Sequence, residues 1–410
     1  MTAHLYDPLD SKYFDSVEAR AERDRTFQTC SDCRICIRSC ESFKSLFRMI
    51  DERDGATDVR VLTDDQHRHV VDTCYQCKLC FVVCPYTPGN EQTWVVDFPR
   101  LMLRSLAIQG REGKVPRSAR LLARTDLQGE TATKVAPLAN TVMKWRPARL
   151  VMEKATGIAA ARLVPSYARQ RFSTWFRNRT TRHGAAADGE STVALFATCL
   201  VEYQATEVGQ DLVGVFEHNG IRCELPPGQR CCGMPWLDAE DVKNFEEQAR
   251  RNVEVLAPAV RACADVVVPQ PTCAYVLPST LRSTSWSGTP TASSSPGFRA
   301  RRTTRSRGTR RVTTAPSSWG RGAASSWSSR GRGCGPWSAS AIDGTWGLRA
   351  ENVEIAKRTA RPLMDAIKNS RAPVVAGDCH LANTAIREET GKVPVHPVQV
   401  LARAYGLPEP

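Results

Sequence analysis

Eight cysteines near the start of this 410-residue chain fall into two runs of the same spacing, and nothing else in the sequence restricts its fold so tightly. The runs read Cys30-x-x-Cys33-x-x-Cys36-x-x-x-Cys40 and Cys74-x-x-Cys77-x-x-Cys80-x-x-x-Cys84-Pro85. A loop of this form brings three thiolates to three corners of a [4Fe–4S] cube, and the fourth cysteine crosses to the other cube. The spacing therefore predicts one cube on Cys30, Cys33, Cys36 and Cys84, and a second on Cys74, Cys77, Cys80 and Cys40. Pro85 stops the local helix and turns the chain away. Ile35, Ile37, Leu79, Phe81, Val82 and Val83 are expected to form a dry shell around the sulfurs. Two neighbouring cubes imply electron transfer.

Zinc and disulfides are the competing readings. Structural zinc sites pair two C-x-x-C hooks across a longer loop, a form that neither run has. Disulfides suit small secreted proteins. Here Met1 leads into Thr2-Ala3-His4 and then Asp7 and Asp10, which is not a signal peptide. A cytoplasmic location is expected, with peripheral contact on the inner face of the cell membrane as the further option. No apolar stretch approaches the ~20 residues that span a bilayer, and Val193 to Val201 has the length of a buried strand.

The net charge of +13 suggests a nucleic-acid or membrane partner, but it is local: residues 281–340 hold eleven arginines and no acidic residue. This segment carries four of the nine tryptophans and no Lys, Asn, Gln, His, Tyr, Ile or Met. Only Leu281, Phe298 and Val312 have codons with T in the middle position, the expected look of a GC-rich gene read in a shifted frame. The reading is two compensating frameshifts, near Pro278–Leu281 and near Ser340–Ile342. The alternative is a disordered Arg/Ser/Gly tract that binds nucleic acid or an anionic surface. Translation in all three frames decides between them.

The length allows two or three domains. The expected fold is multidomain, an α-helical ferredoxin-like domain followed by α/β, Rossmann-like cysteine-rich domains. Residues 1–105 form the two-cube domain, with a helix over Val17 to Thr26, a helix capped by Thr63-Asp64-Asp65, and an apolar segment from Trp94 to Met102 under the clusters. Residues 106–190 read as a basic helical connector, solvated rather than lipid-facing. Residues 192–280 alternate strands and helices: strands at Val193–Phe196, Ile221–Leu225 and Asp265–Val268, helices at Thr206–His218 and Ala239–Leu256. Residues 281–341 are the anomalous segment. Residues 342–410 follow with a helix at Ala350–Ile367 and a strand at Val374–Ala376.

Cys199, Cys273 and Cys379 each follow a strand, where open α/β sheets place their sites. Cys231-Cys232-Gly233 supplies adjacent thiols able to bridge irons in an unusual cluster, with Gly233 allowing close backbone approach. A structural or disulfide-forming dithiol is the alternative for that pair. Cys223 and Cys263 read as buried apolar residues, Cys334 has no role, and His380 reads as a helix-start residue.

These elements together resemble the family that contains the C subunit of anaerobic glycerol-3-phosphate dehydrogenase and the D subunit of heterodisulfide reductase. The resemblance rests on the paired cysteine runs, Phe196-Ala197-Thr198-Cys199, Cys231-Cys232-Gly233-Met234-Pro235, Pro271-Thr272-Cys273, Gly344-Thr345-Trp346-Gly347, Gly377-Asp378-Cys379, and His396-Pro397 with Ala404-Tyr405-Gly406. It implies two [4Fe–4S] clusters and a further iron–sulfur centre at Cys199, Cys231, Cys232 and Cys273, with Cys379 belonging to a second, repeated CCG domain. Two departures stand out. Cys273-Ala274-Tyr275-Val276 lacks the final cysteine of the family's C-x-x-C, and the repeat's other cysteine elements are missing from 281–341. The resemblance implies an electron-transfer subunit that passes electrons from a flavoprotein dehydrogenase or other redox subunit toward a quinone or other acceptor. A disulfide reductase and a nucleic-acid-binding protein are the alternatives, the last disfavoured.

Overall fold

The computed structural model describes residues 8, 10–37, 40–53, 58–87, 95–112, 117–180, 192–262, 265–283 and 346–410. The anomalous segment beyond Ser283, with Cys334, lies outside the described residues, as do Trp94, Cys263 and Gly344-Thr345; so does the side chain of Val82.

The N-terminal part is helical. Helix α1 (Ser16–Cys33) starts where the Asp15 carboxylate accepts the N–H groups of Val17 and Glu18, and ends at Arg34 in a left-handed conformation. It is longer than the expected Val17–Thr26 and carries Cys30 and Cys33 in its last turn, because a C-x-x-C spacing also matches one helical turn. Helix α2 (Glu41–Asp51) buries Phe43, Leu46, Phe47 and Ile50, one apolar stripe at helical spacing. Helix α3 (Asp64–Asp72) opens on a capping box between Thr63 and Gln66. The short α4 (Leu79–Val83) ends at Cys84. Helix α5 (Phe98–Arg111) is capped by Asp97 and runs beneath both cysteine runs, burying Phe98, Leu101 and Met102. Arg104 on α5 is fully buried; it donates to the carbonyls of Tyr13 and Lys12 at 2.8 Å and pairs with Glu18 at 2.9 Å. These bonds offset the cost of a guanidinium inside a core, although its buried Nη1 has no hydrogen-bond partner among the described residues.

The connector is helical as expected: α6 (Arg117–Ala123), α7 (Thr125–Lys134), α8 (Ala136–Lys144), α9 (Arg146–Thr156) and α10 (Phe172–Asn178). Next comes a three-stranded parallel sheet in the order β2-β1-β3, formed by β1 (Thr192–Leu195), β2 (Arg222–Glu224) and β3 (Asp265–Val267). Val193 lies opposite Cys223 on one side and Asp265 on the other. Helices α11 (Cys199–Tyr203) and α12 (Thr206–His218) connect β1 to β2; α13 (Met234–Asp238) and α14 (Val242–Arg261) connect β2 to β3; α15 (Pro271–Ser283) follows β3. The expected α12 boundaries match those of the structure, and Gly220 beyond it has φ +71°.

The C-terminal residues form α16 (Val353–Asn369), α17 (His380–Thr390) and α18 (Pro397–Ala404). The strand expected at Val374–Ala376 is absent: Ala376 makes one isolated parallel bridge to Val395. With Pro373 just before it and one bridging partner, this short apolar run cannot extend a ladder. Helix α18 packs Val398 and Ala402 into the core that Val193, Leu195 and Leu212 share, and Ala356 of α16 joins the N-terminal core. Arg403 pairs with the buried Asp211, and Trp346 donates its indole N–H to the Asp72 carbonyl at 3.0 Å.

Candidate metal centres

The two runs interleave. Cys30 and Cys33 project from the end of α1, Cys36 from the turn beyond it, and Cys84 from the end of α4. Burial pushes the Cys30 thiol well up, and its neighbours Cys36, Cys84 and Cys33 push it further. Burial likewise raises Cys36 to about 12, with Cys84 and Cys33 adding to it. The fourth cysteine of the second run thus sits with the first three of the first run.

The reciprocal set lines one small cavity of about 10 Å³: Cys40, Cys74, Cys77 and Cys80, with Tyr75, Gln76, Lys78, Phe98 and Pro99. Gln76 and Lys78 adopt left-handed backbone conformations, at φ 56° and 61°. Such residues cost of order 1 kcal/mol each, a cost that the surrounding loop must offset. The Gln76 amide donates to the Cys74 sulfur at 3.5 Å and to the Pro99 carbonyl at 3.1 Å. Cys40 occupies the N-cap position of α2, where the N–H groups of Phe43 and Ser42 act to lower the pKa of its thiol. Burial still holds the thiols of Cys40 and Cys80 well above their ordinary range, and raises Cys74 to about 12.

Both quartets fit a cube. Burial disfavours the free thiolates of Cys30, Cys36, Cys40, Cys74 and Cys80, and binding to iron would replace their protons. Among the described residues no three Cys, His, Asp or Glu side chains close on a single metal ion. A tetrahedral zinc draws its sulfurs to about 2.3 Å from one point, whereas a cube offers four separate corners.

The expected shell is only partly there. Ile35, Ile37 and Val83 are 58%, 40% and 50% exposed, and Leu79 and Phe81 are half-buried. The dry lining comes instead from Phe27, Phe43, Phe47, Val71, Phe98 and Met102, contributed by α1, α2, α3 and α5. Helix packing, not proximity in sequence to the cysteines, decides which apolar residues cover them.

A third thiol cluster forms at the carboxyl end of the sheet. Cys199 begins α11, Cys231 and Cys232 precede α13, and Cys273 lies in the first turn of α15. The Cys199 and Cys232 thiols both interact with the Cys231 sulfur, and Cys232 also meets Cys273. Those interactions pull Cys231 well below its ordinary value and push Cys199 and Cys232 up. The dithiol loop is strapped in place: the Cys231 carbonyl accepts from Gln248 at 2.8 Å and from Asn252 at 3.0 Å, and the Cys231 N–H donates to Asp126 at 3.0 Å. Gly233 follows with φ +92°, and a Cβ there would stand 2.7 Å from the Phe245 ring, so only glycine fits. An open cavity of about 1150 Å³ reaches Cys199 and is also lined by Asp126, Arg171, Tyr203 and Arg230.

Asp126 belongs to the connector helix α7, and sequence reasoning missed it; no local spacing marks it. Burial and Cys231 raise Asp126 to about 7. Cys379 is not part of the apolar cluster that holds the other four; it precedes α17, whose first residue is His380. Cys223 is buried in β2.

Residues 29–87 match the family model for a 4Fe-4S dicluster domain, and residues 193–278 match that for the CCG cysteine-rich domain. The chain therefore carries two domain types that occur together in iron–sulfur oxidoreductases. The C subunit of anaerobic glycerol-3-phosphate dehydrogenase from Escherichia coli K12 is 26% identical over 246 residues, covering 50% of this chain and 61% of that protein. Lactate utilization protein A of Bacillus licheniformis is 36% identical over 84 residues, covering 20% and 34% of the two chains. The B subunit of fumarate reductase (CoM/CoB) from Methanothermobacter marburgensis is 32% identical over 77 residues, covering 18% and 16%. The chain thus spans less than two thirds of the length of each of these relatives. No solved structure matches. Iron–sulfur clusters are the cofactors of this chain. No helix among the described residues is long and apolar enough to cross a membrane.

Proposed function

We propose that this chain is the iron–sulfur electron-transfer subunit of an oxidoreductase complex. In this reading Cys30, Cys33, Cys36 and Cys84 hold one [4Fe–4S] cube and Cys40, Cys74, Cys77 and Cys80 the other. Cys199, Cys231, Cys232 and Cys273 hold a further centre in a Rossmann-like CCG domain. The observation that carries it is the crossing of Cys40 and Cys84 between the two quartets. When bound, the cubes supply one-electron redox steps, while the organic chemistry belongs to a partner. The chain's own residues exclude water, donate N–H groups to sulfur and fix the spacing of the quartets.

The donor is proposed to be a flavoprotein dehydrogenase or other redox subunit, in line with the relative named as part of a dehydrogenase. The acceptor is a quinone or another oxidant reached from the CCG side. The connector is read as solvated; peripheral lipid contact is the further option, for which Leu138, Val142, Trp145 and Val151 stand exposed beside Lys134, Lys144, Arg146 and Lys154. Cys379 is assigned to a second CCG site that lacks its partner cysteines here. The 1–105, 106–190, 192–280, 281–341 and 342–410 division remains the proposed domain plan.

Anaerobic purification with iron counting and EPR tests this. About eight irons indicate the cubes, and clearly more indicate the CCG centre. Iron-free protein after reconstitution would sink the reading. The cavity at Cys199 favours a second reading, reduction of a disulfide substrate at the CCG site. Turnover of a disulfide by the isolated chain with a chemical reductant separates the two.

A further inference from the structure

One side chain joins the second cysteine quartet to the CCG cysteines. Tyr275 lies two residues beyond Cys273 on α15. Its ring stands edge-on to that of Phe81, the residue after Cys80, with centroids 6.0 Å apart and planes at 80°. The Lys78 ammonium lies 5.4 Å from the Tyr275 ring centroid and the Arg100 guanidinium 5.5 Å. The Tyr275 hydroxyl donates to Asp97 at 3.2 Å, and that carboxylate, 1% exposed, also accepts the Arg100 N–H that starts α5. The N-terminal domain thus contacts the ring through Phe81, Lys78, Arg100 and Asp97, while Tyr275 itself belongs to the helix that carries Cys273 and packs against the core of the CCG cysteines.

We infer that Tyr275 is a positioning residue for electron transfer between the cube of Cys40, Cys74, Cys77 and Cys80 and the centre of Cys199, Cys231, Cys232 and Cys273. The inference rests on the proposed function, in which both groups hold iron. Tunnelling weakens steeply with the gap between centres and with empty space along the path. The Tyr275 ring lies between Phe81, which is bonded to Cys80, and the helix that carries Cys273 two residues before Tyr275, so it occupies space between the two groups. The step moves one electron from the reduced cube to the CCG centre; no bond forms or breaks. In the test the electron comes from dithionite, a one-electron reductant.

The experiment uses the full iron-loaded chain, wild type and the variants Tyr275→Ala and Tyr275→Phe, mixed with dithionite and followed by freeze-quench EPR. The cube spectra, cube reduction rate and iron content are expected to match wild type in both variants. Reduction of the CCG centre is expected to slow by about tenfold or more in Tyr275→Ala, the scale of a misplaced reacting group. Tyr275→Phe keeps the ring and restores the rate to within about threefold of wild type. A wild-type rate in Tyr275→Ala overturns the inference, as does a phenylalanine variant as slow as the alanine one. Where Tyr275→Ala loses iron, Tyr275→Leu takes its place: it fills the gap without a ring, and a wild-type rate there overturns the inference. Wild-type protein with iron in the cubes alone would instead overturn the reading of the CCG site, and this inference with it.

Discussion

The Asp126 carboxylate accepts the backbone N–H of Cys231 at 3.0 Å, although 105 residues separate the two. It also accepts from the Gln248 amide at 3.3 Å, so one connector residue and one residue of α14 hold the dithiol loop from both sides. Asp126→Ala strands the Cys231 N–H in a buried site, which costs about 1–3 kcal/mol. The expected result is loss of iron from the CCG centre while the cubes keep about eight irons. Asp126→Asn retains an acceptor oxygen and should fall between alanine and wild type. Equal iron content in the alanine variant and the wild type would count against the strap.

Cys40 and Cys84 allow a direct test of which thiols act together. Cys84 sits with Cys30, Cys33 and Cys36, while Cys40 lines the cavity of Cys74, Cys77 and Cys80. Cys84→Ser should perturb the cube of the first run, and Cys40→Ser that of the second. Pairing each with a second substitution separates these from the uncrossed order. Cys84→Ser with Cys30→Ser damages one cube and leaves about four irons, whereas Cys84→Ser with Cys74→Ser damages both. The reverse pattern in iron counts and EPR would show that each run keeps its own fourth cysteine.

Much of the local structure was legible from spacing, and the surroundings of the cysteines were not. Thr63 and Gln66 make the capping box that a Thr-x-x-Gln sequence advertises, and α12 spans the expected Thr206–His218 because its apolar periodicity stops at Gly220. The apolar character of Ile35, Ile37 and Val83 said nothing about which way they face, and they face outward. Asp126 could not be found from pattern at all: it reaches Cys231 only because α7 packs against α11, where a Cβ on Gly129 would overlap the Tyr203 ring. Contacts of that range are properties of packing, and no short window of sequence contains them.

His67 gives the N-terminal domain a definite pH dependence. It is 2% exposed, stacks on Phe27 with centroids 5.1 Å apart, and has its Nε2 3.3 Å from Asp24. Burial and the Arg20 guanidinium lower it to about 4, with Arg23 assisting, against the pull of Asp24 and Asp64. An unfolded histidine titrates near 6.5, so between pH 6.5 and 4 the unfolded chain binds the extra proton. Stability therefore falls as pH drops through that window, by about 2 kcal/mol once solvent screening is discounted. Denaturation midpoints measured across pH 4–7 should slope less in His67→Phe, which keeps the stack on Phe27. An unchanged slope would assign the acid sensitivity to other groups.

Gly233 separates backbone demand from side-chain crowding at the dithiol loop. Its φ of +92° suits only glycine, and an added Cβ would meet the Phe245 ring at 2.7 Å. Gly233→Ala carries both penalties and is expected to cost about 2–4 kcal/mol. Phe245→Leu opens space beside the loop, so the double variant should recover the steric part and keep the backbone part. The measurement is chemical denaturation of the apo chain, which needs no iron and so reports the fold alone. If Gly233→Ala is as stable as wild type, the left-handed turn after Cys232 is not what fixes the direction in which the two adjacent sulfurs point.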